Sequence, residues 1–251
     1  MGGSWFVRAK PKPDAPLRLF CFPHAGGAAS AYFAWGAALD GVDVAAVQLP
    51  GREGRLAESP ETDMATLLDR LAGALAATLD GRPFAFFGHS MGAVLAYETA
   101  RGLRRRGLPE PVHLHVSGRR APTLPVTEPP LHPLPDDAFI AELNRRFGGL
   151  PAAILAEPDL LALFLPTLRA DITLLERHSF HADPPLALPI TAYGGQDDRQ
   201  TPPESLDGWA ALTTGPFAAR LLPGGHFFLH ENRDAFLRVF AAALDRSPVP
   251  A

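Results

Sequence analysis

The segment that most constrains this chain is Gly88-His89-Ser90-Met91-Gly92, because of what flanks it. Before it runs Pro83-Phe84-Ala85-Phe86-Phe87, an apolar stretch of the kind that forms a strand buried on both faces. After it comes Ala93-Val94-Leu95-Ala96-Tyr97-Glu98-Thr99-Ala100, small and apolar at the spacing of a helix packed on a sheet. A strand, a G-x-S-x-G turn and a helix make a nucleophile elbow. So tight a turn forces the serine into a strained backbone, and only glycines at 88 and 92 avoid clashes with neighbouring elements. Ser90 Oγ is therefore expected at the carboxyl end of a sheet, with the amide of Met91 pointing into the same space.

The rest of the chain supplies that sheet. After an N-terminal lead-in (residues 1–16) that is proline-rich from Lys10 to Pro16, strands are expected at Arg18–Phe22, Val42–Gln48, Phe84–Phe87, Val112–Ser117, Leu188–Tyr193 and Ala218–Leu222. Between them, helical spacing marks Ala29–Leu39, Met64–Leu79, Met91–Arg106, Glu204–Leu212 and Arg233–Leu244. Such alternation predicts an α/β fold, a mainly parallel sheet with helices on both faces. Residues 17–120 and 186–251 form the expected core. Residues 121–185 break the alternation with a run of prolines and helical patterns near Asp136–Phe147 and Asp159–Glu176. An insertion of this size near the carboxyl edge would hang over the site as a lid.

A serine hydroxyl needs a base, and the base needs an orienting group. In this architecture the partners follow the nucleophile in the order acid, then histidine. Of nine histidines, only His226 and His230 come after the last plausible acid. His226 follows a strand and the pair Gly224-Gly225, on a turn at the carboxyl edge, whereas His230 continues into a helix and reads as a surface residue. The acid must lie just past another strand, where the chain reads Gly194-Gly195-Gln196-Asp197-Asp198. Asp198 is favoured, with Asp197 as the alternative. Two backbone donors are needed for the developing oxyanion. Met91 N–H is one. The other is assigned to Ala25 N–H, with Gly26 as second choice, in the small-residue loop Phe22-Pro23-His24-Ala25-Gly26-Gly27 that His24 would brace.

Composition narrows the remaining classes. The 251 residues, 47% hydrophobic, suffice for one full core, and a net charge of −4 without a basic stretch argues against nucleic acid as a partner. Arg104-Arg105-Arg106 before Gly107 reads as the cationic end of a helix. The single cysteine, Cys21, falls in a buried strand, so no disulfide framework exists and a reducing cytoplasm is the expected location. The N-terminus lacks the apolar core of a signal peptide, and no apolar run approaches the roughly 20 residues needed to cross a membrane. Neither a clustered metal-ligand set nor a cofactor motif is visible, and a monomer is expected.

Taken together, these residues resemble a known family. Phe22-Pro23-His24-Ala25-Gly26-Gly27, Gln48-Leu49-Pro50-Gly51-Arg52, Gly88-His89-Ser90-Met91-Gly92 and Gly224-Gly225-His226-Phe227-Phe228 are similar to the motifs of type II thioesterases of polyketide and nonribosomal peptide biosynthesis. Leu168-Arg169-Ala170-Asp171 resembles that family's lid region, and the likeness spans roughly residues 17–244. It implies an α/β-hydrolase fold, a helical lid, and removal of wrong or stalled acyl groups from the phosphopantetheine arm of acyl or peptidyl carrier domains. His178 departs from the pattern, which often has an aromatic residue there. Docking to an acidic carrier would call on local cations, for which Arg119, Arg120, Arg145 and Arg146 are the candidates.

Overall fold

The structure, a computed structural model, describes residues 3–126, 128–148, 150 and 152–245. Seven strands form one sheet: β1 (Phe6–Val7), β2 (Leu17–Phe22), β3 (Val42–Val47), β4 (Phe84–His89), β5 (Leu114–Ser117), β6 (Ile190–Gly195) and β7 (Phe217–Leu222). Their spatial order is β1-β3-β2-β4-β5-β6-β7. All neighbours are parallel except β1, which pairs antiparallel with β3 at the edge.

Side-chain alternation along the strands divides the core into two layers. Phe20, Phe22, Phe84, Phe86 and Val116 face α2 (Met64–Ala76) and α3 (Met91–Arg105). Leu19, Cys21, Ala85, Phe87 and Tyr193 face the opposite way, against Trp35 of the short α1 (Trp35–Ala38) and Phe236 and Phe240 of α8 (Arg233–Leu244). Asp63 caps α2 by accepting a 2.8 Å hydrogen bond from Thr66 N–H.

Between β5 and β6 the chain leaves the sheet and forms α4 (Asp136–Phe147), α5 (Ala152–Leu155) and α6 (Pro158–Arg177). These carry a small core of their own, with Leu131, Phe139, Leu143, Leu165, Leu168 and Ile172 packed together. The short α7 (Phe228–Glu231) follows β7 and carries His230, which is exposed.

Two expected helices change. Ala29–Leu39 is a 3-10 turn (Ala29–Tyr32) followed by α1, with Tyr32 held by its hydroxyl on Phe22 O at 2.8 Å. Glu204–Leu212 is likewise two 3-10 turns, Pro203–Ser205 and Asp207–Leu212, rather than one helix. β1 went unread because two residues carry no periodicity. The arginines ending α3 reach beyond the helix: Arg104 donates to the carbonyls of Pro184 and Pro185, Arg105 pairs with Asp183, and Arg106 with Asp69. Among the described residues no helix is long and apolar enough to cross a membrane.

Candidate active site

β4 delivers Ser90 to the carboxyl edge of the sheet, and α3 begins at the next residue. Ser90 has φ 54° and ψ −112°, a conformation that costs an L-residue on the order of 1–3 kcal/mol. The glycines flanking it make the turn possible. A Cβ on Gly88 would lie 2.0 Å from Gly92 O, and one on Gly92 would lie 2.0 Å from Phe22 O. Ser117 O accepts from Ser90 N–H at 2.8 Å and ties the elbow to β5.

Two other strand ends complete the arrangement. Ser90 Oγ lies 3.1 Å from His226 Nε2, on the turn after β7. Asp198 Oδ2, past β6, lies 2.8 Å from His226 Nδ1. A carboxylate only accepts, so Nδ1 carries the proton and Nε2 keeps the lone pair that receives the Ser90 hydroxyl. All three residues are buried. Asp198 Oδ1 accepts from the amides of Gln200 (2.9 Å) and Thr201 (3.3 Å). Burial by itself would raise the Asp198 pKa, but the hydrogen bond and charge of His226 and these amides outweigh it and hold the carboxyl below its ordinary value. Asp197 instead points to solvent, and its amide is bonded to Gly224 O at 3.0 Å.

A cleft opens at Ser90, bounded by His24, Ala25, Arg119, His226 and Phe227 from the core. Leu143 and Phe147 of α4, Leu150, and Leu168, Ile172 and Leu175 of α6 complete its wall. Its free volume is about 60 Å³. The Phe147 ring packs 5.1 Å from the His226 ring. Among the described residues, neither Met91 N–H nor Ala25 N–H has an acceptor, whereas Gly26 N–H is bonded to Asp171 Oδ2 at 2.7 Å. Of the two expected loop donors, Ala25 N–H is therefore the one left free. His24 is driven down to about 3 by burial, then by the charges of His230, His226 and Arg52, so it stays neutral and is no rival base.

This geometry can deprotonate a serine, deliver it to a carbonyl and receive the resulting oxyanion on two amides. A sequence profile of the thioesterase domain family matches residues 17–244. The chain belongs to the thioesterase domain family. This thioesterase is 41% identical over 231 residues to the gramicidin S biosynthesis protein GrsT of Aneurinibacillus migulanus, covering 92% of this chain and 90% of the relative. Its structure matches the RedJ thioesterase of the prodiginine pathway in Streptomyces coelicolor, with TM-score 0.85, 46% identity and coverage of 93% and 88% of the two chains. It also matches the type II thioesterase BorB of the borrelidin cluster, with TM-score 0.83, 37% identity and coverage of 96% and 97%. The thioesterase has the α/β-hydrolase fold of these neighbours.

Other expected contacts lie elsewhere. Arg145 and Arg146 are tied to Glu142 and Glu128, and Arg120 donates to Pro125 O, so none of the three is a free surface cation. Arg119 lines the cleft, where burial and then the neighbouring Arg120 lower its pKa to about 10 against an opposing effect of Glu176. His178 is absent from the cleft wall and lies 3.3 Å from Glu98. Among the described residues no cluster of three or more His, Cys, Asp or Glu could hold a metal ion. Sequence reasoning missed Asp171 as a partner of the loop at residues 24–27. The signal was present in Leu168-Arg169-Ala170-Asp171, but its contact partner lies 145 positions away.

Proposed function

We propose that this thioesterase clears carrier domains of polyketide or nonribosomal peptide synthases by hydrolysing acyl groups from their phosphopantetheine arms. The observation that carries the reading is the Ser90–His226–Asp198 chain beneath two unengaged amides at the head of an apolar cleft. His226 Nε2 takes the Ser90 proton as Oγ attacks the thioester carbon. The amides of Met91 and Ala25 receive the oxyanion, the C–S bond breaks, and His226 returns its proton to the departing thiolate. A water molecule, deprotonated by the same nitrogen, then attacks the acyl-serine and releases the carboxylic acid and Ser90. Every step uses the chain's own side chains and amides with water, and needs no bound cofactor. The helices between β5 and β6 serve as a lid over the acyl group. The enzyme acts as a single chain in the cytoplasm, beside the synthase it serves.

The test follows acetyl-, propionyl- and longer acyl-carrier proteins by intact mass. Release of free holo-carrier, abolished by Ser90→Ala with the fold retained, is the expected result. Turnover of matched oxygen esters with no release from the carrier would make the protein a carboxylesterase.

A further inference from the structure

α6 lays one face on the loops that surround the nucleophile. Phe164, Thr167, Leu168 and Asp171 recur at intervals of three or four residues and so share that face. Thr167 Oγ1 donates to Gly51 O at 2.9 Å. Asp171, 2% exposed, receives Gly26 N–H on Oδ2 at 2.7 Å. It also receives both Arg52 terminal nitrogens, one on each oxygen, at 2.7 Å. Arg52 Nη1 donates onward to Gly27 O at 3.0 Å. Gln48 closes the ring, donating to Arg52 O at 3.0 Å and accepting from Ala29 N–H at 3.1 Å. One carboxylate from the insertion thus holds the 25–26 peptide directly and, through Arg52, the 27–28 peptide.

The fixed segment is the one that carries the free Ala25 N–H. Gly27 N–H bonds back to His24 O at 2.9 Å, so residues 24–27 form a closed turn with Ala25 at its crown. Gly26 holds φ +73°, and a Cβ there would lie 2.5 Å from Phe164 Cζ of α6. Peptides flanking a glycine rotate easily when unbonded, and an oxyanion donor displaced by a fraction of an ångström loses most of its worth.

We propose that Asp171 is a positioning residue, which holds the Gly26 amide and Arg52 so that Ala25 N–H faces the oxyanion only while α6 is seated. Catalytic competence of Ser90 is thereby coupled to the position of the insertion, with the buried Arg52–Asp171 pair as the latch. This rests on the assignment of Ser90 as nucleophile and Ala25 as oxyanion donor.

The variants Asp171→Ala and Asp171→Asn are compared with wild type for kcat and KM on a small acyl thioester. Two further readouts are the rate at which a fluorophosphonate labels Ser90 and the affinity of an acyl trifluoromethyl ketone, whose hemiketal oxyanion occupies the hole. In Asp171→Ala, kcat and labelling rate should each fall about 100-fold, the loss typical of one oxyanion donor. The ketone should weaken in parallel while KM stays within about threefold, because the ground-state carbonyl uses the donor little. Asp171→Asn keeps an oxygen for Gly26 N–H and should lie between the two. Unchanged labelling in a folded variant overturns the proposal, as does a rise in KM with kcat and ketone affinity preserved. If Asp171→Ala does not fold by circular dichroism, Asp171→Asn decides alone, and wild-type labelling and ketone affinity there overturn it. Failure of the wild-type enzyme to label removes the assignment of Ser90 itself, a result distinct from labelling that ignores Asp171.

Discussion

His89 occupies the variable position of the elbow, fully buried, with its ring 5.1 Å from that of His226. Its Nδ1 lies 3.0 Å from Ser117 Oγ at the end of β5, and its Nε2 has no partner among the described residues. Ser117→Ala would leave both ring nitrogens unpaired in the core, at a cost of about 1–3 kcal/mol. A urea-unfolding midpoint equal to wild type would show that the bond contributes nothing. The placement of two of the three residues that meet at the sheet edge was legible without a structure. Ser90 was readable from its flanking glycines, and His226 from chain order. Asp197 and Asp198 were separable only in space, because two adjacent acids on one turn differ in which side of the chain they leave. The Asp171 contact was illegible for a related reason: no local pattern reports a bond spanning 145 positions.

At the scale of elements, α4 and α6 set what can reach Ser90. The free volume beside Ser90, about 60 Å³, is small, which suits acyl chains of a few carbons. Release from a carrier should therefore be fastest for acetyl to butyryl groups and slower for octanoyl, read as initial rates by intact mass. Leu175→Ala would lengthen the cleft from the α6 side and should narrow that difference. An octanoyl rate equal to the propionyl rate in wild type would mean that the insertion moves aside at no cost. Six strands were readable as short apolar runs, most of them buried on both faces, and the long helices from the regular face each one buries. β1 and the 3-10 turns were not. An element of two residues has no period, and Pro203–Ser205 and Asp207–Leu212 are held by prolines and tertiary contacts of Trp209 rather than by a repeating stripe.

For the molecule as a whole, the histidines decide how it responds to acid. His89 and His115 are fully buried and His113 nearly so, in two places against the sheet. Burial lowers His113 to about 4 and drives His89 and His115 well below their ordinary value, with the neighbouring histidines adding to the effect. The His113 and His115 rings stack 3.9 Å apart, and His113 Nε2 is bonded to Thr191 Oγ1 at 2.9 Å. In the unfolded chain each of these groups takes up a proton near pH 6.5, whereas the folded chain refuses it. The unfolded state therefore binds more protons between that value and the lowered folded ones, so stability is complete above about pH 6.5 and is lost as pH falls. Each histidine that stays neutral removes up to about 1.4 kcal/mol per pH unit. The carboxylates act lower down, because Asp198 is held below its ordinary value and its contribution disappears only as pH falls through that range. Melting temperature should thus decline already between pH 6.5 and 5, before any carboxylate of ordinary pKa titrates. His113→Gln can keep a hydrogen bond to Thr191 without a titrating ring and should flatten that slope by about one proton's worth. A wild-type melting temperature constant from pH 7 to 5 would mean that the core admits protonated imidazole.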